Sequence, residues 1–571
     1  TPFGPHWNTF YSRTWGGPAN SGSAALTASP GVPVNSLLPF QRDTAQGRLY
    51  EGQRDPMRFY AVSGDIVNFS VGFLDWQVAT PNYIGAGPAE IRAGRDIVNF
   101  GSSPLLGCAP NGLASCRTEA GFYLSGGGTI RGYVAHNDPR DISVLSAGRD
   151  IIQASMNVAG PGNLVIEAGR DIYQADRGIF RSVGPLYALS PETRQGGASI
   201  TLLTGVGTGG PDYARFLDLY LNPAYLADVE RPLADQNIVN DEGFVEGVHK
   251  VAKNYGEELA AWLETRFGYE AEDADDARLY LATLTPQEQA IFARQVYFDE
   301  LKIGGREYSG KIESGRLNSY LRSRLAIAAL FPETDAEGNA ISYGGNLTMF
   351  GASGVRTEFG GDIEMLVAGG QTTLGVGGIA PPSTAGVLSM GSGDIDIYSL
   401  GSILLGQSRV FTTFGGDILM WAADGDINAG RGAKSTVAYH PPRRVYDSFG
   451  NVTLSPPSQN TGAGIATLAP IPEVPAGDVD LIAPLGVIDA GEAGIRVSGD
   501  INLAALQILN AANIKVEGEA TGIPVIAAVN TGALTAASSA SSAIANQAAG
   551  LAERSRPQAR TEIPTILYVR F

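Results

Sequence analysis

The residues best suited to chemistry in this chain are carboxylates that recur in one local context. Ala-Gly-Arg-Asp-Ile occurs three times, ending at Ile97, Ile151 and Ile172, and shorter Gly-Asp-Ile or Gly-Asp-Val units continue almost to the C-terminus. Lined up on a scaffold, Asp65, Asp96, Asp150 and Asp171 are candidates for the acid–base pair of an enzyme that cleaves acidic polysaccharides. Their context favours a different task. Each Asp closes a corner that contains Gly and precedes an aliphatic residue, where a short carboxylate bonds nearby backbone amides. A glycosidase needs one privileged pair of carboxyl groups about 5–9 Å apart in a cleft. A repeating ladder offers no such pair.

Other constellations carry less. Cys108 and Cys116 flank Pro110, Asn111 and Gly112, a spacing that suits a local disulfide across a protruding loop, worth about 2.5 kcal/mol. Such a bond implies export; the alternatives are two free thiols in a reducing compartment or, with no nearby His, half a zinc site. The run Glu270, Glu272, Asp273, Asp275 and Asp276 lacks the Gly and alternating oxygen donors of a calcium loop and reads as a solvated loop or helix start. His6, His136, His249 and His440 lie far apart, and Ser125-Gly-Gly-Gly128 is a corner because no Lys or helix follows it. Trp7, Phe10, Tyr11 and Trp15 suit either a sugar- or partner-binding surface or a cap on an open end. No nucleophile motif is present, so the expectation is a non-enzyme with no catalytic residue, cofactor or metal site.

The elements that must position these residues follow from the spacing. Asp150 and Asp171, Asp394 and Asp417, and Asp478 and Asp500 are 21, 23 and 22 residues apart. A period near 20–25 residues predicts a coil of short strands stacked on its neighbours around a shared apolar interior. Asn163-Leu-Val-Ile-Glu167, Asp394-Ile-Asp-Ile-Tyr398, Asp417-Ile-Leu-Met-Trp421 and Asp478-Val-Asp-Leu-Ile482 have the alternation or short apolar run of such strands. The longer intervals, 31 from Asp65 to Asp96 and 54 from Asp96 to Asp150, read as coils that carry loop insertions. With 74 Gly and 33 Pro among 571 residues, 44% hydrophobic and 17% charged, corners are frequent and the core is large. A net charge of −18 disfavours nucleic acid and anionic membrane as partners.

Between Pro211 and Pro332 the period becomes helical. Phe244, Val248, Val251, Tyr255, Leu259 and Trp262 predict one apolar stripe. Thr285-Pro-Gln-Glu288 predicts a capped helix start leading through Ile291, Phe292, Val296 and Leu301, and Leu317, Leu321, Leu325 and Ala328 a last helix. The expected organisation is an irregular lead-in or cap over 1–58, a first β-helix block over 59–210, a helical insertion over 211–332, a second β-helix block over 333–528, and an Ala/Ser-rich connector with a terminal strand over 529–571. In that tail Ile563, Thr565, Leu567, Val569 and Phe571 alternate with their neighbours, which predicts a strand docked on its own solenoid or on a neighbouring chain. No stretch reaches about 20 apolar residues, so no transmembrane segment is expected, and residues 1–30 lack a signal-peptide pattern, which reads as a trimmed fragment whose export signal lies upstream.

The Ala-Gly-Arg-Asp-Ile units, Gly304-Gly-Arg-Glu-Tyr308, the stretch from Ser319 to Pro332 and above all the stretch from Gly477 to Val497 resemble the C-terminal region of filamentous-haemagglutinin-type exoproteins of two-partner secretion. The resemblance covers most of residues 60–525. It implies an all-β fold, a right-handed parallel β-helix with a mainly α-helical insertion. It also implies export through an outer-membrane two-partner transporter and display or release at the surface of a Gram-negative bacterium. The role implied is that of an adhesin-like surface protein, for which a receptor or glycan on a host or neighbouring cell is the expected partner; the alternatives are a carbohydrate-active enzyme on a β-helix and a self-assembling filament subunit.

Overall fold

The computed structural model describes residues 55–523 apart from internal segments, the longest of them 68–87, 102–132, 185–195, 238–249 and, around a short hairpin, 433–461. Within these residues the chain winds as a right-handed parallel β-helix with three faces. The first and second faces form one 19-stranded sheet and the third a nine-stranded sheet. One coil shows the pattern: first-face strand Asn163–Ala168, a corner, second-face strand Ile172–Ala175, third-face strand Ile179–Ser182, then first-face strand Ser199–Thr204 directly above the start. Every pairing in these two sheets is parallel, and apart from a register shift between Ala483 and Val487 the register is continuous, as in Ile363↔Ile395 and Ile395↔Ile418, so like residues stack in columns about 4.8 Å apart. Inward positions such as Ile91, Leu164, Ile200, Ile363, Ile395, Ile418, Val479 and Ile501 form one continuous apolar core along the axis. The hairpin Arg444–Tyr446 with Val452–Leu454 is antiparallel.

Among the described residues, five helices leave the solenoid at a single corner. They are α1 (Tyr213–Leu221), α2 (Gly256–Phe267), α3 (Ala274–Thr283), α4 (Pro286–Ser309) and α5 (Leu321–Leu330). The excursion separates first-face strand Ser199–Thr204 from second-face strand Leu347–Phe350 of the same coil. Neither ladder is interrupted, since Ser199–Thr204 pairs below with Asn163–Ala168 and above with Ile363–Val367, and Ile172–Ala175 pairs with Leu347–Phe350. A fold in which each coil contacts only its neighbours allows this.

The predicted capping box is present at α4: Thr285 Oγ1 accepts from Glu288 N, the Glu288 side chain reaches back to Thr285 N, and Pro286 takes the first position. Asp273 caps α3 by accepting from the amides of Asp275 and Asp276, so the acidic run is a helix start. Two helical expectations are corrected. The apolar stripe does not run as one helix from Phe244: α2 begins at Gly256, and Val251 makes a parallel bridge to Leu226, because Asn254 turns the chain by accepting from Gly256 N. Phe244 and Val248 lie outside the described residues. Leu317, at 62% exposure, precedes α5 instead of belonging to its buried face.

The repeat is also subtler than its spacing suggests, because the Gly-Asp units occupy two different corners. Asp65, Asp96, Asp150 and Asp171 sit between the first and second faces, whereas Asp362, Asp394, Asp417, Asp478 and Asp500 sit between the third and first. The strand after each corner is what they share, and sequence spacing cannot tell which face that strand joins.

Candidate functional site

The corner carboxylates join coil to coil. At the first corner Asp96 N donates to Asp65 Oδ1 at 3.1 Å, Asp150 N to Asp96 Oδ1 and Asp171 N to Asp150 Oδ1, both at 3.2 Å, and Asn346 N to Asp171 Oδ1 at 2.8 Å. The Arg of each unit reaches back to the Asp of the coil below: Arg95 pairs with Asp65, Arg149 with Asp96 and Arg170 with Asp150. The Arg95 hydrogen bonds hold Asp65 down to about 2, and those from Arg149 hold Asp96 below the usual carboxylate range. All four Asp side chains support the backbone of the next coil.

The third-to-first corner repeats the amide ladder without its arginines. Asp394 N donates to Asp362 Oδ1 at 3.0 Å, Asp417 N to Asp394 Oδ1 at 2.7 Å, Asp478 N to Asp417 Oδ1 at 2.8 Å and Asp500 N to Asp478 Oδ1 at 2.9 Å. The residue before each of these Asp is Gly, so the countercharge must come from elsewhere. It comes from the insertion. Helix α4 has 24 residues and is about 36 Å long, enough to cross six or seven coils when laid along the solenoid axis. Arg294 meets Glu364 at 2.5 Å, Lys302 meets Asp417 at 2.7 Å, Arg306 meets Asp480 at 2.7 Å and Asp478 at 3.4 Å, and Lys311, just past the helix, meets Asp500 at 3.0 Å.

Beside this charged seam lies an apolar one. Outward first-face residues Leu203, Leu366, Tyr398, Leu419, Trp421 and Ile482 pack with Phe216, Tyr297, Leu301 and Leu330 of the helices into a second core. Every residue of the motif Gly304–Tyr308 packs or pairs at this interface. A Cβ on Gly304 would stand 1.9 Å from Ser323 Oγ, and one on Gly305 would stand 2.5 Å from Ile482 Cγ1. Arg306 takes the buried Asp480, and Glu307 accepts from Arg316 at 2.8 and 2.6 Å. Tyr308 stacks on Tyr320 with ring centroids 3.8 Å apart, and Tyr320 stands edge-on to Trp421. Behind them Glu300 is buried and accepts from Arg322 Nε at 2.8 Å, Arg322 Nη2 at 2.6 Å and Tyr255 Oη at 2.6 Å. Burial pushes the Glu300 carboxyl up, and Arg322 and Tyr255 oppose that rise.

Gly304–Tyr308, Ser319–Pro332 and Gly477–Val497 thus converge on one interface. Residues 415–525 match the filamentous haemagglutinin family outer membrane protein. The matched segment supplies Asp417, Trp421, Asp478, Asp480, Ile482 and Asp500, the solenoid partners of the C-terminal half of α4. The haemagglutinin family is one of surface adhesins and exoproteins, secreted or held at the outer cell surface. No helix among the described residues is long and apolar enough to cross a membrane. No curated protein and no solved structure matches the chain.

Between α4 and the first face lies a cleft of about 620 Å³, lined by Asp362, Asp394 and Asp396, by Tyr255, Trp262 and Phe298, and by the cations Lys253, Arg266 and Lys302. Partial desolvation pushes Asp362 up to about 6 and raises Asp394 and, with the help of neighbouring carboxylates, Asp396, although Asp362 and Asp394 keep part of their surface open to solvent. The sequence reading missed these three. The residue before Asp gave only part of the signal: Arg precedes Asp96, Asp150 and Asp171 and Gly precedes Asp362 and Asp394, but Gly64 precedes Asp65 in the first column and Ile395 precedes Asp396.

His136 is the one histidine of the four within the described residues. Its Nε2 lies 2.7 Å from Ser143 Oγ and its Nδ1 2.7 Å from Pro161 O, and burial lowers its pKa. Both side chains are sealed from solvent, so the pair ties coils together and meets no substrate. Cys108, Cys116, Ser125–Gly128, the N-terminal aromatics and the tail strand lie outside the described residues.

Proposed function

We propose that the chain is the β-helical shaft segment of an exported adhesin, carrying its helical insertion as a rigid module along one side. The observation that carries this reading is the family match over 415–525, lying within an unbroken ladder of coils. A parallel β-helix suits a shaft because its strands are paired coil to coil over its whole length, so it resists local opening while exposing corners and insertions. The module is clamped at four acidic sites and one apolar seam, which presents its outer surface in fixed orientation to a receptor or glycan on a host or neighbouring cell.

The partner in export on this reading is an outer-membrane transporter of two-partner secretion. A non-enzymatic role accords with the engagement of the first-corner carboxylates in backbone support. The boundaries at 59, 211, 333 and 529 are part of the same proposal, as is the Cys108–Cys116 bond. Beads coated with the whole purified chain should bind epithelial or bacterial cells saturably, and soluble chain should compete. Binding no better than that of albumin-coated beads would refute the adhesin role and leave a purely structural exoprotein.

A further inference from the structure

Inside the axial core, near its first coils, sits a polar pair that a shaft alone does not need. His136 follows third-face strand Tyr133–Ala135 and ends the coil that begins with strand Ala89–Ala93, while Ser143 lies in first-face strand Ile142–Ala147 of the next coil. Both side chains are enclosed, at 0% exposure. Pro161 O can only accept, so His136 Nδ1, 2.7 Å away, carries a proton. In a neutral ring Nε2 then accepts, at 2.7 Å, the hydroxyl proton of Ser143, whose Oγ in turn accepts from Ala89 N at 3.1 Å. Two coils and the corner that opens a third thus meet at one imidazole.

This network holds one ring proton and has no place for a second. A proton on Nε2 would face Ser143 Oγ and turn the hydroxyl proton away from its acceptor. Among the described residues that oxygen bonds only Ala89 N and the ring. The charge would also sit unhydrated in the core. Desolvation disfavours the charged ring most and Arg266 of α2 adds to it, outweighing Asp141 and Pro161 O, which favour it. Asp138 and Arg140, on the same corner, pair with each other at 2.8 Å. That corner also seats the insertion, because Asn163 N donates to Asp141 O at 2.9 Å and Asn163 Oδ1 accepts from Arg266 Nη2 at 2.6 Å.

We infer that the His136–Ser143 joint is an acid-operated latch: the neutral ring closes the coils around it, and proton uptake in acid opens that stretch of the β-helix and loosens the seat of α2, while coils farther along the axis stay closed. It rests on the buried pair and is independent of the adhesin reading.

An opened ring binds its proton near the ordinary value of about 6.5, and the closed one refuses it, so the opened fraction grows about 25-fold from about pH 7 to pH 5. The test is hydrogen–deuterium exchange on the whole chain at those two pH values, with protection corrected for the chemical exchange rate at each. Protection in Ile142–Ala147, in Asn163–Ala168 and at the Arg266 end of α2 should fall about tenfold or more at the lower pH, whereas third-face strands Gly386–Ser389 and Arg409–Thr412 should change less than about threefold. In His136→Gln, whose side-chain oxygen still accepts from Ser143 and which takes up no proton, the fall should vanish. Should that variant not fold, Ser143→Ala decides: without the hydroxyl that requires a neutral ring, protection at the higher pH drops and the difference between the two pH values narrows. A fall shared equally by all strands, a parent without a local fall, a fall that survives in His136→Gln, or one that persists in full or widens in Ser143→Ala would each overturn the inference.

Discussion

Deleting residues 206–344 would separate what the insertion gives the solenoid from what the solenoid does alone. The junction would read Thr204-Gly205-Gly345-Asn346-Leu347, a three-residue corner like Gly148–Asp150 between Ala147 and Ile151. Asn346 already accepts from Gln371 N at 3.0 Å and donates to Asp171 at 2.8 Å, so the corner ladder is kept. The loss falls on the first face, where Leu203, Leu366, Tyr398, Trp421 and Ile482 would be uncovered. At about 2 kcal/mol for each large apolar side chain, some 10 kcal/mol of burial disappears across five or six coils, while the strand hydrogen bonds and axial core remain. Asp480 would become hydrated once α4 is gone, so its lost partner Arg306 adds little. The expected product keeps the β signal in far-ultraviolet circular dichroism and self-associates through the bared stripe. Changing Leu366, Tyr398, Trp421 and Ile482 to Thr in the same deletion should restore a monomer by light scattering. Loss of the β signal in the repaired deletion would refute the reasoning, by showing that the coils need the insertion in order to stack.

Three further outcomes follow from the charges and thiols. A carboxyl whose folded pKa is raised lends stability below its unfolded pKa near 4 and loses it as pH rises through its folded value. For Asp362, raised to about 6 and partly open to solvent, Asp362→Asn should therefore stabilise by at most about 1 kcal/mol at about pH 7.5 and have no effect at about pH 4, read from denaturant melts. Arg322→Met strands the buried Glu300 and should cost about 3–5 kcal/mol, seen as faster amide exchange in α4 and α5; adding Glu300→Met should recover part of it. An intact mass of the native protein that shows Cys108 and Cys116 joined, shifting on reduction, is expected; two free thiols would remove one support for export.

The sequence by itself determined the β-helix, because Gly-Asp corners and a period near 22 residues are local statements that each coil repeats. It also determined α4, whose capping box and helical period are complete within the segment from Thr285 to Leu301. The family motifs were legible as strings, but their reason was not. Gly305 is small because Ile482, far along the chain, sits against it, and Arg306 is basic because Asp480 is buried beneath it. Two corners looked like one, since spacing records the length of a coil and not the face at which a unit lies. Only the tertiary structure decided that α4 lies along the axis. That placement pairs its cations with an acidic column that has no arginines of its own, and it gathers Asp362, Asp394 and Asp396 in one cleft with Lys253, Arg266 and Lys302. Charge balance across an interface depends on which residues meet, and that is fixed by packing and not by order along the chain.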